Sequence, residues 1–427
     1  MEDIKLQRFF DINRWEAILE KSYDKRIDMG LLRRLCSPSA RYQLLTAIQN
    51  DKYRIFPPHI ARIPKDNGDF REVYVNEPID RIFLSLYNDV LFEMFGDKIH
   101  PACKSYQKGI GCPQTVKEIS KKICSMTGNK VGYKADLSKY FDTVRIDVID
   151  KALDELDTGS PLDKIVREYY HNDLVFDADG NLIEHYGSLK QGCAVASFLA
   201  NYVLRDIDAK LNEMDILYCR YSDDILMIGK DADKALEMLS KMLATKGLKL
   251  NPKKVEPIKK DAFFTFLGFN ICGPKITFSK KSIKNFQREI EERTIKSKNS
   301  TVKAIHQVNK YLYEGYIVDN TRFGWGAYFL PTVNVQEDVQ ELNRFVMDCI
   351  RAVDSGKIKV GGLGENKQLK GKVVCRGTGK NVTANRQKWK TKNGGDYIDG
   401  YITLTAMQNA LKMGKAVYEA LLVDVMM

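Results

Sequence analysis

Apolar positions recur at helical spacing over residues 1–50, where Phe9, Phe10, Trp15, Ile18 and Leu19 mark one face. Pro57-Pro58 ends that pattern. Two extended runs then flank Asp66-Asn67-Gly68-Asp69 in ARIPKDNGDFREVYV, which predicts a β-hairpin. Residues 78–98 return to a helical period through Ile79, Ile82, Leu84, Leu86, Val90, Leu91 and Phe95. A Gly-rich turn at Gly109–Gly111 leads into a helix near 113–126. Val131, Tyr133 and Ala135 read as a buried strand ending at Asp136, followed by a helical segment towards Leu156. A second hairpin is signalled by Asp179-Gly180. The apolar helix AVASFLANYVLRDIDAKL follows Gln191-Gly192.

The clearest local pattern lies at 216–229. The strand-favouring runs Ile216–Tyr221 and Ile225–Ile228 meet at the polar corner Ser222-Asp223-Asp224, which predicts another hairpin. Beyond it come a helix over 231–246 capped by Asp231, a strand-like segment Leu248–Ile258 and a strand and turn at FFTFLGFNI. Amphipathic helices around 281–295, 301–316 and 335–353 make an all-helical block. Gly361–Lys392 is rich in Gly, Lys and Arg, and Ala406–Met427 is again helical in pattern.

Composition narrows the partners. Lys and Arg number 67 against 56 Asp and Glu, a net charge of +11 that favours a polyanionic partner, although it could also serve a membrane surface. No apolar run approaches the roughly 18 residues of a membrane span, and the charged, amphipathic start is unlike a signal peptide. The expectation is a cytoplasmic protein without membrane contact. Nine cysteines without a CxxC pair, and five histidines without ligand spacing, argue against a zinc site, a disulfide framework or a His-based triad.

The candidate chemistry is carboxylate chemistry. Two adjacent acids at a hairpin tip repel unless a cation neutralises them, although Ser and Asp are also ordinary turn residues. Asp136, at the end of a buried strand, suits either a metal or a helix N-cap. Together the three acids could hold a pair of divalent cations, which prefer oxygen ligands. Lys65 and Arg71 sit on the two arms of the first hairpin, where both could reach one anion. In the basic stretch, Trp389 lies among Lys388, Lys390 and Lys392, a pairing suited to phosphates and bases.

Six motifs occur in one order. IPKDNGDFREVYVNEPIDRIF resembles the fingers block of reverse transcriptases, and YKADLSKYFDTV their first catalytic palm motif. SLKQGCAVASFLANYVL resembles the Gln-Gly motif, YSDD the Tyr-x-Asp-Asp hairpin, GLKLNPKKVE the Lys-bearing motif and FLGF the primer-grip turn. The resemblance implies an α+β right-hand polymerase fold: N-terminal helices and fingers over 1–130, palm over 131–278, helical thumb over 279–356, and a small basic C-terminal extension over 357–427. It implies an RNA-directed DNA polymerase with two Mg²⁺ ions at Asp136, Leu137, Asp223 and Asp224. Lys254 takes the place of the general acid, with Lys253 as the alternative. Arg71 and Lys65 fall to the triphosphate, Gln191 and Gly192 to the incoming nucleotide. Phe141 takes the place of the ring that excludes a ribose 2′-OH, or packs in the core. Lys190 departs from the family, many members having Pro there, and so does Phe198.

In size and layout the chain is most similar to bacterial defence-associated reverse transcriptases of the unknown group, class 2. That similarity implies a structured noncoding RNA template, dNTPs as substrates, a DNA product and a role in antiphage defence. Template-independent DNA synthesis of the abortive-infection type, or an RNA-binding maturase or scaffold, are the alternatives.

Overall fold

The computed structural model describes residues 3–20, 28–65, 68–128, 130–259, 261–297, 299–313, 324–355, 358–360, 373–375, 398 and 400–414. The chain folds into two compact units, both discontinuous in sequence. One comprises 1–111 with 128–258, the other 112–127 with 259–427.

The first unit is built on eight described strands: β1 (His59–Pro64), β2 (Phe70–Val75), β3 (Gly132–Asp136), β4 (Leu174–Phe176), β5 (Leu182–Glu184), β6 (Ile216–Tyr221), β7 (Asp224–Gly229) and β8 (Glu256–Ile258). They form two sheets, ordered β2-β1-β4-β5 and β6-β7-β3-β8. All three sequence-predicted hairpins are present here. β1 pairs with β2, β4 with β5 and β6 with β7, each antiparallel. The Asp179-Gly180 turn closes through Asp177, whose carboxylate accepts from the amides of Asp179 (2.9 Å) and Asn181 (2.8 Å).

Under the second sheet lies one apolar core. The helix Pro78–Phe95 contributes Ile82, Phe83, Leu84, Leu86, Tyr87, Val90 and Leu91 to it, all buried. The N-terminal apolar face is split between helices Ile4–Phe9 and Ile12–Glu20, and it buries Phe9 and Trp15 against that core. Lys5 is buried too. Its ammonium donates to the Leu156 carbonyl (2.9 Å) and pairs with Asp163, which also accepts from Tyr87 (2.7 Å). A cation taken out of water needs such partners, so helix Ile4–Phe9 is pinned in place.

Three expectations fail locally. Asp231 stands at the start of helix Ala232–Thr245, but its side chain makes no cap; it accepts from Lys234 at 3.2 Å instead. The strand-like Leu248–Ile258 keeps only β8, because Pro252 lacks an amide and Asn251 caps a short 3-10 turn, Pro252–Lys254. The long helix after Gln191-Gly192 is two helices, Val195–Tyr202 and Arg205–Asn212. The Arg205 guanidinium takes the Tyr202 carbonyl at the break (2.9 Å).

In the second unit β9 (Phe264–Phe266), β10 (Phe269–Cys272) and β11 (Lys275–Phe278) form an antiparallel sheet. The Leu267-Gly268 turn has positive φ at both residues, as a type I′ hairpin requires. Helices Lys280–Arg293, Thr301–Tyr313, Trp325–Phe329, Gln336–Ser355 and Leu404–Met413 supply the helical block. Phe286 and Trp325 meet there at 4.3 Å between ring centroids. Buried Gln408 ties the last helix down by donating to the carbonyls of Leu330 and Val333. A short strand just before the basic stretch, β12 (Ile358–Val360), pairs with one inside it, β13 (Val373–Cys375). Lys388, Trp389, Lys390 and Lys392 lie outside the described residues, as does the tail after 414. Among the described residues no helix is long and apolar enough to cross a membrane.

Candidate active site

Strand β3 runs between β7 and β8, with Asp136 opposite Asp224. Gly132 allows the close pairing, since a Cβ there would stand 1.9 Å from the Met227 carbonyl oxygen. Strand pairing thus brings the end of one buried strand beside the tip of the β6–β7 hairpin. Beyond Asp136 the chain is stitched to the Lys-bearing turn. The Asn251 amide donates to the Asp136 carbonyl (2.8 Å), and Ser138 N to the Lys249 carbonyl (2.8 Å). That stitching sets Lys254, whose ammonium reaches Asp136 Oδ2 at 2.7 Å. Lys254, rather than Lys253, is therefore the lysine at the acids. Asp136 caps no helix, because the next one begins only at Tyr140.

Neighbouring acids raise the proton affinity of Asp223 and Asp224. Burial, then the charge of Asp136, pushes the Asp223 carboxyl up, and Lys254 and Arg71 only partly offset this. Burial and the charges of Asp223 and Asp136 push Asp224 further, to about 6. Burial works against the Lys254 ammonium. Its hydrogen bond to Asp136 and the surrounding acids outweigh that, and its pKa is raised. Lys254 therefore holds its proton next to three carboxylates.

Such an excess of carboxylate suits a hard divalent cation. As the side chains stand, no three acidic, His or Cys groups among the described residues converge tightly enough to enclose an ion; Asp136 gives one oxygen to Lys254. Leu137 has a buried hydrocarbon side chain and offers only its main chain, whose amide donates to the Asp223 carbonyl (3.1 Å).

The remaining sequence candidates divide. Arg71, exposed on β2 opposite Ile63, is close enough for its charge to act on Asp223. Lys65 acts instead on Asp142. Gln191 and Gly192 dock on β2: the Tyr74 amide donates to the Gln191 carbonyl (2.7 Å), and Gly192 has φ +106°. A Cβ on Gly192 would meet Val73 at 2.4 Å, so a side chain is excluded. Phe141 is half-buried, packed edge-on against Tyr140, with its carbonyl accepting from Leu189 N (3.2 Å). Lys190 is buried. Its ammonium donates to the Asn172 carbonyl (2.6 Å) over the Tyr169 ring, and burial lowers its pKa to about 8.

Sequence reasoning missed the residues behind the hairpin tip. Arg220 and Asp208 are both buried and form a two-pronged pair, Nε to Oδ1 at 2.7 Å and a terminal nitrogen to Oδ2 at 2.6 Å. Tyr218 donates to the same carboxylate (2.8 Å). Ser105 Oγ accepts from the Ser222 amide (2.9 Å) and donates to Asn201 Oδ1 (2.7 Å). The available signal was Arg220 itself, since a guanidinium inside an apolar strand demands a buried anion.

Residues 63–271 match the family model described as reverse transcriptase (RNA-dependent DNA polymerase). The chain is 23% identical over 395 residues to a putative COX1/OXI3 intron 1 protein of Saccharomyces cerevisiae, covering 78% of this chain and 46% of that protein. It is 38% identical over 101 residues to a Gag-Pro-Pol polyprotein of Simian retrovirus SRV-2, covering 22% of this chain and 6% of the polyprotein. The chain thus spans less than half the length of either relative. Solved structures with weak likeness include telomerase from Candida albicans with a TWJ fragment of telomeric RNA (TM-score 0.44, 13% identity, covering 73% of this chain and 56% of that one). Another is apo telomerase from Candida Tropicalis (TM-score 0.43, 14% identity, covering 71% and 57%).

Proposed function

We propose that the chain is an RNA-directed DNA polymerase that extends a primer 3′-OH with dNTPs. The observation that carries this reading is the meeting of Asp136, Asp223 and Asp224 at adjacent strand ends, with the Lys254 ammonium beside them. Asp136, Asp223, Asp224 and the Leu137 main chain would hold two Mg²⁺, which when bound acidify the attacking hydroxyl and neutralise the triphosphate. Lys254 keeps a proton in reach of the leaving pyrophosphate. Arg71 adds positive charge where the triphosphate lies, with Lys65 further along the same hairpin. Gln191 and Gly192 present main chain against the nucleotide, and the Phe141 ring blocks a ribose 2′-OH.

The finer reading is synthesis of cDNA from a dedicated structured noncoding RNA in the cytoplasm, for antiphage defence. It is supported by the similarity in size and layout to class 2 defence-associated enzymes, and by the basic stretch around Lys388–Lys392. The 23% identity to an intron 1 protein favours a second reading, in which the chain acts with an intron RNA.

Primer extension on an RNA template tests the activity. Incorporation of dNTPs by the wild type and its loss in Asp223→Asn is expected; equal incorporation by both would refute the reading. Sequencing the RNA that co-purifies with the chain separates a noncoding partner from an intron.

A further inference from the structure

The tip of the β6–β7 hairpin is a two-residue turn, Ser222-Asp223, between paired Tyr221 and Asp224. Of the two central residues only Ser222 has positive φ (58°), the pattern of a type II′ turn, whose first central position normally takes Gly. A residue with a Cβ is held there at a cost, and such strain persists only where surroundings over-determine it. The surroundings do so. Every polar group of Ser222 is held by a different residue. Its amide donates to Ser105 Oγ (2.9 Å), its carbonyl accepts from Arg220 (3.1 Å), and its hydroxyl meets the Tyr106 hydroxyl (3.3 Å).

Two of these holders are themselves fixed. Arg220 is locked by buried Asp208 and by the Asn201 carbonyl (3.1 Å). Ser105 is locked by Asn201, which also returns a bond from its own amide to the Ser105 carbonyl (2.7 Å). Tyr106 differs: it is 45% exposed and has positive φ (57°) itself. Two strained residues from distant segments thus meet hydroxyl to hydroxyl beside Asp223.

We propose that Ser105, Tyr106 and Arg220 are positioning residues that clamp Ser222 in its left-handed conformation and so aim the Asp223 carboxylate at a divalent cation. The inference rests on the metal-dependent polymerase reading. It goes further in assigning the aim of the acid to a clamp outside the recognised motifs.

Such a clamp can be rescued. Glycine adopts positive φ without strain, so Ser222→Gly makes the clamp dispensable. Replacing Arg220 would strand Asp208 as a buried unpaired charge and probe folding instead. The informative variants are Ser105→Ala, Tyr106→Phe, Ser222→Gly and the two doubles with Ser222→Gly. Tyr106→Phe removes only a hydroxyl from a half-exposed ring, so it tests the clamp even if Ser105→Ala fails to fold.

Two readouts apply. One is Mn²⁺ binding by the protein alone, followed by electron paramagnetic resonance of the free ion. The other is single-turnover dNTP incorporation against Mg²⁺ concentration. Ser105→Ala is expected to weaken Mn²⁺ binding and raise the half-saturating Mg²⁺ about tenfold, the cost of one lost left-handed preference. Tyr106→Phe should do the same about threefold, and each effect should shrink below twofold in the Ser222→Gly background. Unchanged Mn²⁺ binding in Tyr106→Phe, or losses that persist with Ser222→Gly, would overturn the clamp while leaving a wild-type polymerase intact. A wild type that binds Mn²⁺ through the clamp but makes no DNA would instead refute the polymerase reading alone.

Discussion

Asp224→Asn should make the metal-free protein more stable at neutral pH while destroying its activity. The Asp224 carboxyl titrates at about 6 in the fold against an ordinary 3.8, mainly through burial and then through Asp223 and Asp136. The folded state therefore holds more protons than the unfolded state between those values. Stability falls as pH rises through that window and stays low above it. At about 1.4 kcal/mol per tenfold change in proton affinity, the ceiling is about 3 kcal/mol. Partial solvent access and sharing of the charge with the other two acids bring the expected gain to about 1–2 kcal/mol. Asparagine keeps the shape without the charge. The two compact units need not unfold together, so the assay is amide hydrogen exchange at Ile225–Ile228, which reads the sheet itself. In chelator, the variant should exchange more slowly than the wild type at pH 7, and at pH 4 the two should converge. Added Mg²⁺ should protect the wild type and leave the variant unmoved. A variant less protected than the wild type at pH 7, or a gap independent of pH, would refute the electrostatic account.

Asp136→Asn and Asp223→Asn should each cut dNTP incorporation more than tenfold, a loss above about 1.4 kcal/mol, with RNA binding nearly unchanged in a filter-binding assay. Phe141→Ala should admit ribonucleotides, read as the dNTP to rNTP ratio of kcat/KM; an unchanged ratio in a folded variant would return the ring to packing. Lys190, lowered from 10.5 to about 8, binds fewer protons folded than unfolded between those values. Its burial cost is thus full at pH 7 and relieved as pH rises to 10, and the stability advantage of Lys190→Met in denaturation should shrink over that range. Reversing the charge of Lys388, Lys390 and Lys392 should weaken binding of co-purified RNA and flatten its salt dependence, while extension of a generic primer–template persists.

What the sequence showed were features written locally. The three hairpins of the first unit announce themselves by turn residues between alternating or apolar runs. Asp223 and Asp224 are conspicuous because like charges stand together. The helical block follows from its apolar period. What stayed hidden depends on partners distant in sequence. Nothing near Lys254 says that Asp136 is its partner, and which of the two lysines meets the acid shows only in the fold. Ser105 and Tyr106 sit in an irregular loop without periodicity. Asp231 looked like a cap because Asp is among the favoured cap residues, yet Lys234 competes for its carboxylate. Leu248–Ile258 looked like a strand because its apolar spacing hides the loss of the Pro252 amide.

Both compact units are assembled from two separated pieces of chain, and this has a consequence for synthesis. Lys254 leaves the ribosome 118 residues after the acid it pairs with. At roughly 5–20 residues per second, Asp136 waits about 6–24 seconds for its cation. Lys5 waits longer still, its anion lying 158 residues downstream. The strand that carries Asp136 is made before both strands that flank it, β7 and β8. A nascent chain stalled after residue 136 and before residue 224 thus carries β3 with neither flanking strand yet made. That interval, rather than the finished protein, is when the chain is exposed to mispairing.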